Sequence, residues 1–244
     1  MASVLRCSPL NRALGISGQY MSYSEEQLGK LYKLRSSYDT QLQKIQENFL
    51  VLSAKMDGGL YDHTVYGICR RVSTLRFCLN FFFDALSPET DVLENDVLPQ
   101  GNVHLHAFLV NCSGVSDNIA WFLAYHHKVD EIEDLDKFKF NIGIFGKKKF
   151  KKYITDNLSE KITEFQDWHE HIKAFRDPTA HRIPPYLIPY VIDTERNLID
   201  CTPKYIHEFS KSVPVLLHAQ VIADIGAVIG LLEALFNDVL DSYA

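Results

Sequence analysis

The chain has no C-x-x-C pair, no H-E-x-x-H pattern and no run of about 18 uncharged apolar residues. The last absence predicts no membrane span, and the N-terminal stretch MASVLRCSPLNRALGISGQYMS lacks the continuous apolar core of a signal peptide. A cytoplasmic location is therefore expected. Cysteine is scarce and odd in number, 5 residues in 244, which argues against a disulfide framework. Cys69, Cys78 and Cys112 fall inside apolar helical patterns and read as buried thiols. Positive charge is in deficit: the net charge is −6, which excludes nucleic-acid binding through bulk charge but leaves room for a local basic patch. Phosphate-loop, dinucleotide and G-x-S-x-G fingerprints are also missing, and no cofactor is implied.

Aromatic rings are plentiful, with 15 Phe and 12 Tyr, and predict a firm core. The length suits one domain over 23–244 preceded by an extension over 1–22. Ser24 followed by acids signals the start of a first helix, with Leu28, Leu31, Leu34, Tyr38, Leu42 and Ile45 at helical spacing. DGG at 57–59 breaks it, and a second helix follows over about 61–86. A third, about 103–128, carries one apolar stripe through Leu105, Phe108, Leu109, Cys112, Val115, Ile119, Phe122 and Leu123. A second stripe runs through Val110, Gly114, Trp121 and Tyr125, so this helix is central in the bundle or shared with a second subunit. A fourth helix is expected over about 157–176, and a last one is opened by Ser212 and Pro214. Between them, the proline-rich segment after residue 182 reads as extended chain or a short hairpin around DTERN, its prolines confining any strand to a sheet edge. The fold class is all-α: an antiparallel bundle of about five long helices with that small insertion.

Chemistry concentrates in KAFRDPTAHRIPPYLIP at 173–189. Arginine presents a planar, always charged fork that suits phosphate, and histidine moves a proton near neutral pH. Arg176 and His181 together would suffice to cleave a phosphodiester without metal. Asp177 and Pro178 read as the cap and first residue of another helical turn, which would aim Arg176 and His181 into one cleft. The alternative is a helix-terminating turn with a capping salt bridge.

FRDPTAHR resembles the signature of the HEPN superfamily: an arginine, a polar residue, then a few residues and a histidine. The longer RDPTAHRIPPYLIP, together with SDNIAW at 116–121, is similar to uncharacterised bacterial proteins of HEPN type. The resemblance implies a helical bundle that dimerises, and it maps Arg176, Asp177 and His181 onto the catalytic motif. Many members are metal-independent ribonucleases that join two copies of the motif across a two-fold axis. Others have lost catalysis and bind partners. Asp177 stands where nuclease members often have Asn, and a proline-rich insertion follows the histidine directly. The implied partners are a second copy of the chain, RNA, and a partner protein such as an antitoxin. A defence or toxin-type role would follow, with a non-catalytic module binding protein, RNA or a nucleotide as the alternative.

Three further features have two readings each. Asp117 and Asn118 are poor formers of a helix interior. They either bond to a neighbouring helix or solvent, or Asp117 pairs with Arg176 or orients His181. Lys147, Lys148, Lys149, Lys151 and Lys152, interleaved with Phe150 and Tyr153, suit a nucleic-acid backbone and its bases, or else a solvated loop. The histidine pairs at 104–106, 126–127 and 169–171 lack ligand spacing, because helical residues two apart do not share a face, so no metal is expected.

Overall fold

The computed structural model describes residues 19–89, 93, 96–193, 195–196, 198–208 and 213–243. Most of the extension, Cys7, Ser212 and two residues of the DTERN turn lie outside them. Strand β1 (Gln19–Met21) leads into α1 (Glu25–Ser53). The Ser24 start signal is a complete capping box: its hydroxyl accepts from Gln27 N at 3.3 Å, and the Gln27 side chain accepts from Ser24 N at 2.8 Å. Gly58, at φ +50°, supplies the left-handed turn that ends the α1 connection and opens α2 (Gly58–Asp62). The helix then widens into a π-helical segment, His63–Cys69, before continuing as α3 (Arg70–Asp84).

The central element is α4 (Leu98–His126). It packs against the π segment and α3, against α8 (Gln166–His181), and against α9 (Leu217–Val239). Two short helices, α5 (Val129–Ile132) and α6 (Leu135–Phe138), and α7 (Asp156–Thr163) complete the helical part. Phe49, Phe82, Phe108 and Phe122 are fully buried, and edge-to-face contacts such as Phe82–Phe108 at 5.7 Å fix the layers. Cys69, Cys78 and Cys112 are buried free thiols, and Cys201 is buried as well. Helix α9 with its closing turn, Leu217–Tyr243, is long and apolar enough to cross a membrane, yet it packs against α1, α4 and α7 and buries His218 and Asp224.

The chain is mostly helical but not all-α. Six short strands form two three-stranded sheets among the described residues. One has the order β1-β4-β3, with β3 (Val191–Asp193) and β4 (Leu198–Asp200) as an antiparallel hairpin and β1 parallel to β4. The other is antiparallel, β2-β5-β6, from Tyr186–Ile188, Lys204–Ile206 and Val215–Leu216. The two strands that flank Pro189, β2 and β3, are both edge strands, as a residue without an N–H requires. Asp193 closes the hairpin by accepting from Glu195 N and Arg196 N at 3.1 and 3.0 Å.

Three boundaries differ from the sequence expectation. The third helix opens at Leu98, about five residues earlier than expected, with Pro99 in its first turn. The fourth helix divides at Glu164–Phe165 into α7 and α8, and α8 runs through Pro178 to His181. Pro178 lies inside the helix, one turn from its end; its missing N–H forgoes the bond to Ala174 O, and Thr179 donates its hydroxyl to Phe175 O at 2.9 Å. The last helix starts at Leu217, because Val215 and Leu216 pair with β5 instead of extending the helix towards Pro214.

Candidate functional site

The site is built on the side of α4 that lies between α3 and α8. Residues of the first stripe, such as Leu105, Cys112 and Phe122, are buried. The second stripe is only partly covered: Gly114 is buried, Trp121 and Tyr125 are half-buried, and Val110 is exposed. Polar groups from three elements gather along it.

From α8, Arg176 donates Nε to Ser113 Oγ at 3.2 Å and pairs through Nη1 with Asp177 at 3.2 Å. Five helical positions separate Arg176 from His181, so their side chains leave α8 about 140° apart at 100° per residue. They nevertheless line one open cleft of about 710 Å³, with Lys173, Asp177, Arg182 and His207. The uninterrupted helix, not a re-aimed turn at Asp177–Pro178, sets this geometry. His181 and Arg182 are exposed, whereas Pro178 is buried and fixes the end of α8. The proline-rich segment beyond is docked on α4: His106 Nε2 lies 2.7 Å from Pro185 O, and Leu187 N donates to Asn102 Oδ1 at 2.8 Å.

Asp117 is exposed and makes no ion pair with Arg176 among the described residues. Its charge is felt instead by Arg71 and His169, in both of which it favours the protonated form. Asn118 bonds to the neighbouring helix: it accepts from Arg71 Nε at 2.5 Å and lies 3.2 Å from His63 Nδ1. Arg71 also donates Nη1 to Asn111 at 3.2 Å. Gly114 gives the guanidinium its place, since a Cβ there would lie 2.3 Å from Arg71 Cζ. Burial lowers the pKa of Arg71 from its ordinary value, and nearby Arg176 acts in the same direction. His169 is likewise held below the usual histidine value, by burial first and then by Lys173 and Arg176, and its ring stacks on Phe145 at 4.1 Å.

Arg71, His63, Asn111 and Ser113 escaped the sequence reading, and His169 entered it only in a histidine pair without ligand spacing. Arg71 follows an arginine in an ordinary amphipathic stretch, and no spacing rule links it to position 118. The nearest clue was Gly67 in a run of larger residues: a Cβ there would lie 2.4 Å from Asn118 Nδ2, so this glycine admits the close approach.

The lysine segment lies elsewhere. Lys147, Lys148 and Lys151 line a separate cleft with Ile162, Thr163 and Gln166. Gln166 opens α8, and Arg176 is ten residues on, about 15 Å along the axis. Lys147 donates to Phe140 O at 2.8 Å, and Lys152 pairs with Glu133 at 3.1 Å. Lys148, Lys149 and Lys151 are exposed. Phe150 is fully buried, so it anchors the loop and offers no face to a base. The histidine pairs are dispersed: His104 stacks on Phe81 at 3.7 Å, and His126 Nδ1 lies 2.7 Å from the Tyr243 hydroxyl. No group of three or more His, Cys, Asp or Glu is placed to hold a metal among the described residues.

No family model, no curated protein and no solved structure matches this chain.

Proposed function

We propose that the protein is a HEPN-like, metal-independent endoribonuclease that acts as a dimer, in a defence or toxin-type role. The observation that carries the reading is the cleft shared by Arg176 and His181, with Lys173 and Arg182 adding positive charge to its rim. Arg176 would hold the scissile phosphate and stabilise the charge that builds on it. His181 would take the proton of the ribose 2′-hydroxyl as its oxygen attacks phosphorus. The P–O5′ bond then breaks, and the 5′-oxygen receives a proton from an imidazolium, leaving a 2′,3′-cyclic phosphate and a 5′-hydroxyl. A second copy of the motif would supply the second histidine, so that one acts as base and the other as acid.

The Asp177 ion pair favours a second reading. It ties up one face of the Arg176 guanidinium and lowers the positive charge available to a phosphate. A module that binds RNA, a nucleotide or a partner protein without turnover fits that arrangement. RNA cleavage in the presence of EDTA separates the two. The nuclease reading expects cyclic-phosphate products, loss of cleavage in His181→Ala and Arg176→Ala, and a dimer by sedimentation equilibrium. Cleavage unchanged in His181→Ala would remove that residue from the mechanism. RNA binding with no cleavage would establish the second reading.

A further inference from the structure

Arg71 has no acidic hydrogen-bond partner among the described residues. It is half-buried, and its partners among the described residues are the neutral amides of Asn118 and Asn111, through Nε and Nη1. Its Nη2 donates to nothing there. Taking a guanidinium out of water without a counterion is costly, and the cost is recovered when an anion binds. The charge of Asp117 acts on Arg71 more strongly than that of Arg176, but from an exposed position and without a hydrogen bond to it among the described residues. Arg176 reaches the adjacent residue of α4, Ser113. Two arginines thus lie close enough on one helix surface to repel each other.

The turns of α4 beyond Asn118 present aromatic rings. His63 stacks on Trp121 with centroids 5.3 Å apart and planes 6° apart, and on Tyr125 at 5.6 Å and 24°. All three rings are half-buried, so part of each meets solvent. Asn118 joins this group to the arginine, touching both His63 and Arg71. The π-helical turn at His63–Cys69 brings them together, and such irregular turns are often kept at functional sites. Two glycines make the close fit on this side: Gly67 against Asn118, and Gly59, where a Cβ would lie 2.3 Å from the Tyr125 ring.

We propose that the surface of α4 between Arg71 and Arg176 is a phosphate site, and that Trp121, His63 and Tyr125, which begin one turn beyond the Asn118 partner of Arg71, receive the base attached to that phosphate. The ligand class is a nucleotide unit, presented by a single-stranded RNA or by a free nucleotide. Arg71 is a phosphate-holding residue, and Asn111 and Asn118 are positioning residues that fix its fork. For an RNA strand, the proposal rests on the RNA reading given above and extends its path from the His181 cleft along α4.

The test uses the full chain carrying His181→Ala, a short 5′-labelled single-stranded RNA, EDTA, and AMP and adenosine as competitors, read by fluorescence anisotropy. Arg71→Gln is expected to weaken RNA binding about ten-fold and to reduce the slope of log K against log salt by about 0.7, the share of one single-strand phosphate. Trp121→Leu is expected to weaken binding about ten-fold with the slope unchanged, as loss of a stacking face does. AMP should displace the RNA and adenosine should not. AMP competing as well as the strand itself assigns the site to a free nucleotide. Should Arg71→Gln fail to fold, Trp121→Leu and the thermal shift of the parent with AMP against adenosine decide the question. Parent-like RNA binding by Trp121→Leu with no AMP-specific shift overturns the proposal, as does parent-like binding by a folded Arg71→Gln. Cleavage that depends on His181, with binding indifferent to Arg71, would overturn this proposal and keep the nuclease reading. RNA binding that depends on Arg71, with no cleavage by the chain that retains His181, would do the reverse.

Discussion

Arg71 and Arg176 come from different helices and take adjacent residues of α4: the guanidinium of Arg71 lies over Gly114, and Arg176 donates to the Ser113 hydroxyl at 3.2 Å. A pair of small residues on α4, Ser113 and Gly114, therefore positions two guanidinium groups. The Arg71 contact needs the missing side chain at 114, and the Arg176 contact needs the small hydroxyl at 113.

Gly114→Ala tests this dependence. The new Cβ would overlap the end of a flexible side chain, so Arg71 moves and the helix stays. Alanine gains about 1 kcal/mol of helix propensity over glycine, which offsets the lost Arg71 hydrogen bonds of about 1 kcal/mol each. Urea unfolding should show a net change within about 1 kcal/mol, while RNA binding by anisotropy falls. A variant that binds as the parent does would separate Arg71 from the site.

Asp177→Asn removes the acid paired with Arg176. Both groups are partly exposed, at 30% and 45% of their side-chain surface, so the pair contributes little to stability. RNA affinity should rise about two- to five-fold at low salt, and the gain should shrink as salt screens the charge. Unchanged affinity across the salt range would mean that Asp177 does not restrain Arg176.

Asp224 gives a pH signature. Burial pushes its carboxyl from 3.8 up to about 7, although Trp168 Nε1 and Gln220 Nε2 donate to it at 3.1 and 2.9 Å. A raised carboxyl holds its proton more tightly when folded. Its contribution to stability is full below about pH 4 and is lost as pH rises through about 7. His218, lowered to about 4 by burial, has the opposite slope between about pH 4 and 6.5. Urea unfolding at pH 5 and 8 should show the stability of Asp224→Asn rising relative to that of the parent over that range, because only the parent carries the contribution that is lost as pH rises through about 7. Parallel profiles would place the Asp224 proton elsewhere.

Phe150→Ala distinguishes an anchor from a base platform. The ring is fully buried, so truncation should cost about 3–5 kcal/mol by urea unfolding. Lys148 and Lys151 remain exposed in either case. A small stability change accompanied by a large loss of RNA binding would reverse the assignment of Phe150.

Periodicity and capping chemistry made much of this protein legible without coordinates. The Ser24 start signal, the apolar stripe of α4, the break at Gly58 and the edge placement of the strands around Pro189 all follow from local rules, and the structure has each of them. Arg176, Asp177 and His181 were visible because residue type and spacing lie within one short segment. Three things were decided only by tertiary contact. Helix α8 continues through Pro178, where local rules place a helix start, because packing holds the proline buried at the cost of one hydrogen bond. The six strands, each two or three residues long, pair across as many as 179 positions, from Gln19 to Leu198, a distance that no local pattern encodes. Arg71 meets Asn118, Gly114 and the neighbourhood of Arg176 only because α3 and α8 both pack on α4. The sequence by itself thus determined which segments are helical and where reactive side chains lie along the chain. The packing of α3 and α8 on α4 decided which of those side chains share a surface, since hydrogen bonds and electrostatic fields act through space and not along the chain.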